Sequence, residues 1–176
     1  MARDNVQVPF GYEPPDPRGE QRGSLWVYDS FEEYTEQDLA KVLELADRRK
    51  MAKTIFYPIH EETLRRMVKG TFLPYYRRVE ALQAMLEDAE SDLDVVIERF
   101  ESKRKKYTPV DMAFRFLEEK YEGPFFIYVT GDTANLLASY DSFELWIKKL
   151  RLFIAGEGTQ GMHPQLLKYE NRWDRV

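Results

Sequence analysis

The sequence has no cysteine and only two histidines, and no apolar run approaches the roughly 20 residues that span a bilayer. Without cysteine there are no disulfides, thiolate nucleophiles, Cys-ligated zinc sites or iron–sulfur clusters. The opening residues, Met-Ala-Arg-Asp-Asn-Val, carry no apolar signal region. The expected compartment is therefore the cytoplasm, with no membrane partner.

Motifs that carry chemistry are also missing. There is no Gly-x-Gly-x-x-Gly, no P-loop lysine and no Gly-x-Ser-x-Gly elbow. Neither His60 nor His163 has a Glu three residues before it, so the inward Glu-x-x-His pairs of bundle metal sites are absent. Sequence reasoning assigns no catalytic residue, metal ligand or cofactor. It expects a protein-interaction or assembly module that is not an enzyme.

What is present suits a packed domain. Of 176 residues, 43% are hydrophobic, 14% aromatic and 32% charged, and the formal net charge is −5. Residues 1–23 hold four of the nine prolines and read as an extended arm carrying Val6, Val8, Phe10 and Tyr12. A single globular domain is expected over 24–156 and a tail over 157–176.

Ser24 to Tyr28 reads as a strand, and Thr35 with Asp38 as the start of a helix reaching about Lys53. Thr54 to Ile59 is a short strand or connector, interrupted by Pro58. His60 to Lys69 is a short helix. Phe72, Tyr75, Val79, Leu82, Leu86, Ala89, Leu93, Val96 and Phe100 then recur at 3-4 spacing. That heptad seam predicts one long helix over about 74–106. Thr108, Pro109 and Asp111 punctuate the start of a further helix, which Gly123-Pro124 ends.

Phe125 to Thr130 is the strongest strand signal. Gly131-Asp132 is read as a hairpin turn into a returning strand over 133–139. Asp141 is read as the cap of a last helix that buries Trp146, Leu150, Phe153 and Ile154. The expected fold is α+β and predominantly α: a helical bundle around 74–106 with a small antiparallel sheet from 24–28, 125–130 and 133–139. Tyr-Asp-Ser-Phe-Glu occurs twice, at 28–32 and 140–144, and is read as the same capping chemistry at two strand-to-helix corners.

Charge is segregated. Residues 48–78 are nine basic against two acidic, net +7, and residues 79–101 are one against eight, net −7. The blocks could pair between subunits, so the expected partner is another protein or a second copy in a two-fold dimer. The alternative is nucleic-acid contact through 48–78 and 103–106, using Arg48, Arg49, Lys50, Lys103, Arg104, Lys105 and Lys106. A third reading is an enzyme with an anion site near Gly131. It takes Thr130, Gly131 and Thr133 as a strand, glycine turn and helix start that offer backbone donors. Asp132 would repel phosphate there.

Overall fold

A computed structural model describes residues 20–176; the expected arm lies almost wholly outside them. The chain alternates strand and helix. It runs β1 (Ser24–Asp29), α1 (Glu36–Arg48), β2 (Lys53–Pro58), α2 (Glu61–Met67), α3 (Tyr75–Ala89), β3 (Val95–Ile97), α4 (Phe100–Arg104) and α5 (Val110–Lys120). It continues through β4 (Phe125–Thr130), α6 (Gly131–Ala138), α7 (Phe143–Ile147), β5 (Leu150–Ala155), α8 (Pro164–Lys168), a 3-10 turn and β6 (Trp173–Arg175). The six strands form one sheet in the order β3-β2-β1-β4-β5-β6, and every pairing is parallel. This is a doubly wound α/β fold, not a helical bundle with an antiparallel hairpin.

Strand side chains alternate between two cores. Leu25, Val27, Phe56, Tyr128 and Phe153 pack with Leu39, Val42, Leu45 and Ala46 of α1 and Leu82 of α3. Trp26, Tyr28, Ile55, Tyr57, Ile127 and Val129 face the other way, onto α5, α6 and α7. A sheet covered on both faces buries successive residues, so its strands read as unbroken apolar runs.

That property explains the main corrections. The expected long helix ends at Ala89, because Glu90 turns into the left-handed region at φ 50. Val95-Val96-Ile97 is a β-branched run, and it pairs with β2 as an edge strand. The seam's 3-4 spacing continues through a strand and a second helix by coincidence. Leu150, Phe153 and Ile154 belong to β5, not to a last helix, since α7 stops at Ile147.

The hairpin is also replaced. Thr130 accepts a hydrogen bond from the Thr133 amide and caps α6, so 133–139 is helical up to Ala138. Strands 24–28 and 125–130 do form and do neighbour each other, but in parallel. Residues 157–176 contribute α8 and β6, and β6 is the sixth strand of the sheet.

Candidate functional site at the carboxyl edge

The strand order reverses between β1 and β4. From β1 the chain passes to α1 on one face; from β4 it passes to α6 on the other. The two connections part at the carboxyl ends of the strands, the usual ligand position in open α/β sheets.

The β1 side of this edge is a strained turn. Asp29 Oδ1 accepts from the Phe31 amide at 3.2 Å and the Ser30 hydroxyl at 3.4 Å. Phe31 and Glu33 both adopt positive φ, 60° and 54°. Bulky residues rarely do so, and such backbone persists only where its surroundings hold it. Phe31 is held by burial: it is 4% exposed and packs edge-on against Tyr34 at 4.8 Å. Thr35 and Asp38 then close a reciprocal capping box on α1, as the sequence indicates.

Burial pushes the Asp29 carboxyl above its ordinary value, against the hydrogen bonds from Phe31 and Ser30. The Tyr34 hydroxyl is buried without a partner among them, and burial together with the Asp29 charge raises its pKa far above the tyrosine range.

On the β4 side, Thr130, Gly131 and Thr133 do come together at the start of α6. The hydroxyls of Thr130 and Thr133 lie 3.1 Å apart. The loop after β5 folds over them. Asp132 Oδ1 accepts from the Thr159 amide at 2.7 Å and hydroxyl at 3.1 Å. Asn135 donates to the Gly161 carbonyl and accepts from the His163 amide. A side chain at Gly131 would collide with the Gly158 amide and lie 2.5 Å from the Glu157 carbonyl carbon. A cavity of about 80 Å³ remains, lined by Gly131, Asn135, Glu157 and Arg175 among others.

A larger cleft, about 330 Å³, opens beside β1 between α2, the segment before α5 and the α6–α7 turn. That volume lies within the range of small-molecule sites. Arg66, Met67, Tyr107, Thr108, Tyr140 and Asp141 line it. The Arg66 guanidinium sits 4.5 Å from the centre of the Tyr107 ring and has no hydrogen bond or ion pair among the described residues. Asp111 is occupied: it accepts from Arg115 at 2.7 Å and the Trp146 indole at 2.8 Å, and those bonds hold its carboxyl below the usual range. It is not the reciprocal cap of Thr108, since α5 starts after Pro109 without a side-chain cap.

Buried polar groups frame the edge. The Arg78 side chain, 1% exposed, donates to the carbonyls of Ser30 at 2.6 Å, Ile59 at 2.8 Å and Leu73 at 2.9 Å, and to Glu61 at 3.2 Å. It ties the ends of β1 and β2 to α3.

The sequence repeat straddles this region. Its first copy is the end of β1 and the strained turn, and its second contributes Tyr140 and Asp141 to the cleft. Neither copy does the expected capping: Asp29 makes a local turn, and α7 has no side-chain cap. Sequence reasoning missed Asp29 and Tyr140 as site residues, although the repeat marked both places; it placed Arg66 in the basic block 48–78 and Tyr107 as a stacking group only in the nucleic-acid reading.

The basic residues named for nucleic acid fall at two edges of the sheet, with Arg66 of the 48–78 block lying on the Tyr107 ring beside 103–106. Arg48, Arg49 and Lys50 end α1 at the amino edge, where Arg49 pairs with Asp174 and Lys50 with Glu20. Lys103, Arg104, Lys105 and Lys106 sit at or just after α4, at the carboxyl edge, where Arg104 donates to the Thr108 hydroxyl and Tyr107 carbonyl. A six-residue strand, roughly 20 Å, separates the blocks. Among the described residues no set of three or more acidic or histidine side chains is arranged to hold a metal, and no helix is long and apolar enough to cross a membrane.

No family model matches the sequence, and no curated protein matches it. The fold does match a solved structure, Plasmodium falciparum nicotinic acid mononucleotide adenylyltransferase complexed with NaAD. The TM-score is 0.62 over 88% of this chain and 74% of that chain, at 13% identity. The chain shares its fold with a nucleotidyltransferase. At that identity the likeness establishes architecture alone. It overturns the expectation of a helical, non-enzymatic interaction module and turns attention to the carboxyl edge.

Proposed function

We propose that this chain binds a nucleotide at the carboxyl edge and acts on it as an enzyme of the nucleotidyltransferase type. The reversal of strand order between β1 and β4 carries this reading. The phosphates lie toward the turn at Asp29–Thr35 and the start of α6. The ring lies in the cleft of Tyr107 and Tyr140, with Arg66 free to meet an anionic substituent.

Charge decides how the phosphates enter. Residues 29–40 hold five acidic side chains (Asp29, Glu32, Glu33, Glu36 and Asp38) and no basic one. A bare triphosphate would be repelled, so the nucleotide enters as its magnesium complex. A cation carried on the phosphates would be held by the Asp29 carboxylate, whose Oδ1 the Phe31 amide and Ser30 hydroxyl orient. When bound, the ion neutralises phosphate charge, as in other phosphoryl-transfer sites. The protein's own part is to hold the turn rigid and to position the ring.

Titration calorimetry with ATP and with nicotinic acid mononucleotide, each with magnesium and with a chelator, tests the reading. Saturable binding with a Kd between about 1 µM and 1 mM, lost for ATP in the chelator, is expected. Pyrophosphate release on mixing both nucleotides would report transfer. No binding of either nucleotide at millimolar concentration would contradict the reading.

A further inference from the structure

Glu101 is the one carboxylate among the described residues with no exposed surface (0%), and no ion pair to it is formed among them. A buried carboxylate is expensive to keep unless several donors satisfy it. Here three do. Tyr57 donates its hydroxyl from β2 to Oε2 at 2.6 Å. The His60 amide, at the start of α2, donates to Oε1 at 2.9 Å, and the Thr63 hydroxyl donates to Oε1 at 2.8 Å.

The direction of these bonds matters. An ionised carboxylate only accepts, and a hydroxyl has a single hydrogen. Glu101 therefore commits the Thr63 hydrogen and leaves the Thr63 lone pairs for another donor. That donor is the backbone amide of Thr108, 2.9 Å away and buried. Thr63 and Thr108 both line the cleft, and the neighbouring Tyr107 carries Arg66 on its ring.

We propose that Glu101 is a positioning residue for this cleft, acting through the Thr63 hydroxyl on the backbone at Thr108 and so on the Tyr107–Arg66 pair. The inference rests on the nucleotide reading above for what the cleft binds, but the relay itself is a property of the free protein.

The test compares Thr63→Val, which keeps the shape and removes the hydroxyl, with Thr63→Ser, which keeps the hydroxyl. Amide hydrogen exchange at Thr108 is followed by NMR in the free proteins. Affinity is measured for nicotinic acid mononucleotide and for ribose 5-phosphate, which lacks the ring. In Thr63→Val we expect Thr108 exchange to rise at least about tenfold and mononucleotide affinity to fall about tenfold, with ribose 5-phosphate unchanged. Thr63→Ser should stay within about twofold of the parent protein on every measure.

Unchanged exchange in Thr63→Val, or equal losses in Thr63→Ser and Thr63→Val, would overturn the relay. Should Thr63→Val fail to fold, Thr63→Ala, which also removes the hydroxyl, carries the same comparison, with raised Thr108 exchange expected and parental exchange refuting. If the parent protein binds no mononucleotide, the functional reading fails, while the exchange data still decide the relay.

Discussion

Replacing Arg78 by methionine should remove a large share of the protein's stability. The side chain is 1% exposed and holds the Ser30, Ile59 and Leu73 carbonyls and the Glu61 carboxylate at 2.6–3.2 Å. Hydrogen bonds to a charged group contribute about 1.5–3 kcal/mol each, and they are not additive. Removing one partner from a buried charged pair costs about 3–5 kcal/mol, because the group left behind is unpaired. Methionine restores part of the packing. The expected loss is about 4 kcal/mol out of a total of roughly 5–15 kcal/mol. Urea unfolding followed by circular dichroism should show a midpoint lower by about 2 M, for a slope near 2 kcal/mol/M. Arg78→Lys should lose about half as much, since one ammonium cannot reach carbonyls on three segments at once. A loss below about 1 kcal/mol in Arg78→Met would refute the view that this guanidinium binds β1, β2 and α3 together.

Glu101 gives a pH-dependent expectation. Burial raises its pKa above the ordinary glutamate value, so the folded state binds the proton more tightly than the unfolded state. The parent protein should therefore lose stability relative to Glu101→Gln as pH rises from about 4.5 through the raised value; a difference that is flat or of opposite slope, in unfolding measured at several pH values, would count against it. Asp111 has the opposite sign. Its carboxyl is held low by Arg115 and Trp146, so its contribution is present above the unfolded pKa and lost as pH falls through the folded one. Asp111→Asn should accordingly narrow the stability gap with the parent protein in acid. Gly131→Ala forces the Gly158 amide and Glu157 carbonyl away, so the loop at 156–161 should be cleaved faster by a nonspecific protease at constant global stability of the sheet; equal cleavage rates would show that this close approach is dispensable.

Much of the local structure was legible because its signals were local. The Thr35–Asp38 box, the strand at 125–130 and the helix through Ala113, Phe114 and Leu117 follow from capping chemistry and periodicity over a few residues. The architecture was not legible, because parallel pairing leaves no mark on neighbouring residues. Val95–Ile97 and Leu150–Ala155 are strands only through partners some 40 and 25 residues earlier. Their apolar runs fit a helical seam equally well. At Gly131 the hairpin reading rests on the lone glycine, the missing P-loop lysine and Gly-x-Gly-x-x-Gly, and on Asp132 as a repellent of phosphate. In the fold Asp132 is a helix residue that clamps the loop at Thr159. The cleft could not be read either: Arg66, Tyr107 and Tyr140 come from three separate connections and meet only in the folded chain.

The most direct test is to map the amide shifts of the labelled protein on adding magnesium and ATP, then nicotinic acid mononucleotide. The nucleotide reading predicts saturable shifts at Asp29–Thr35 and Thr130–Thr133 for ATP, and at Arg66, Tyr107 and Tyr140 for the mononucleotide. Shifts confined to the amino edge around Gly23, Lys53 and Gly123, or none at millimolar nucleotide, would contradict it.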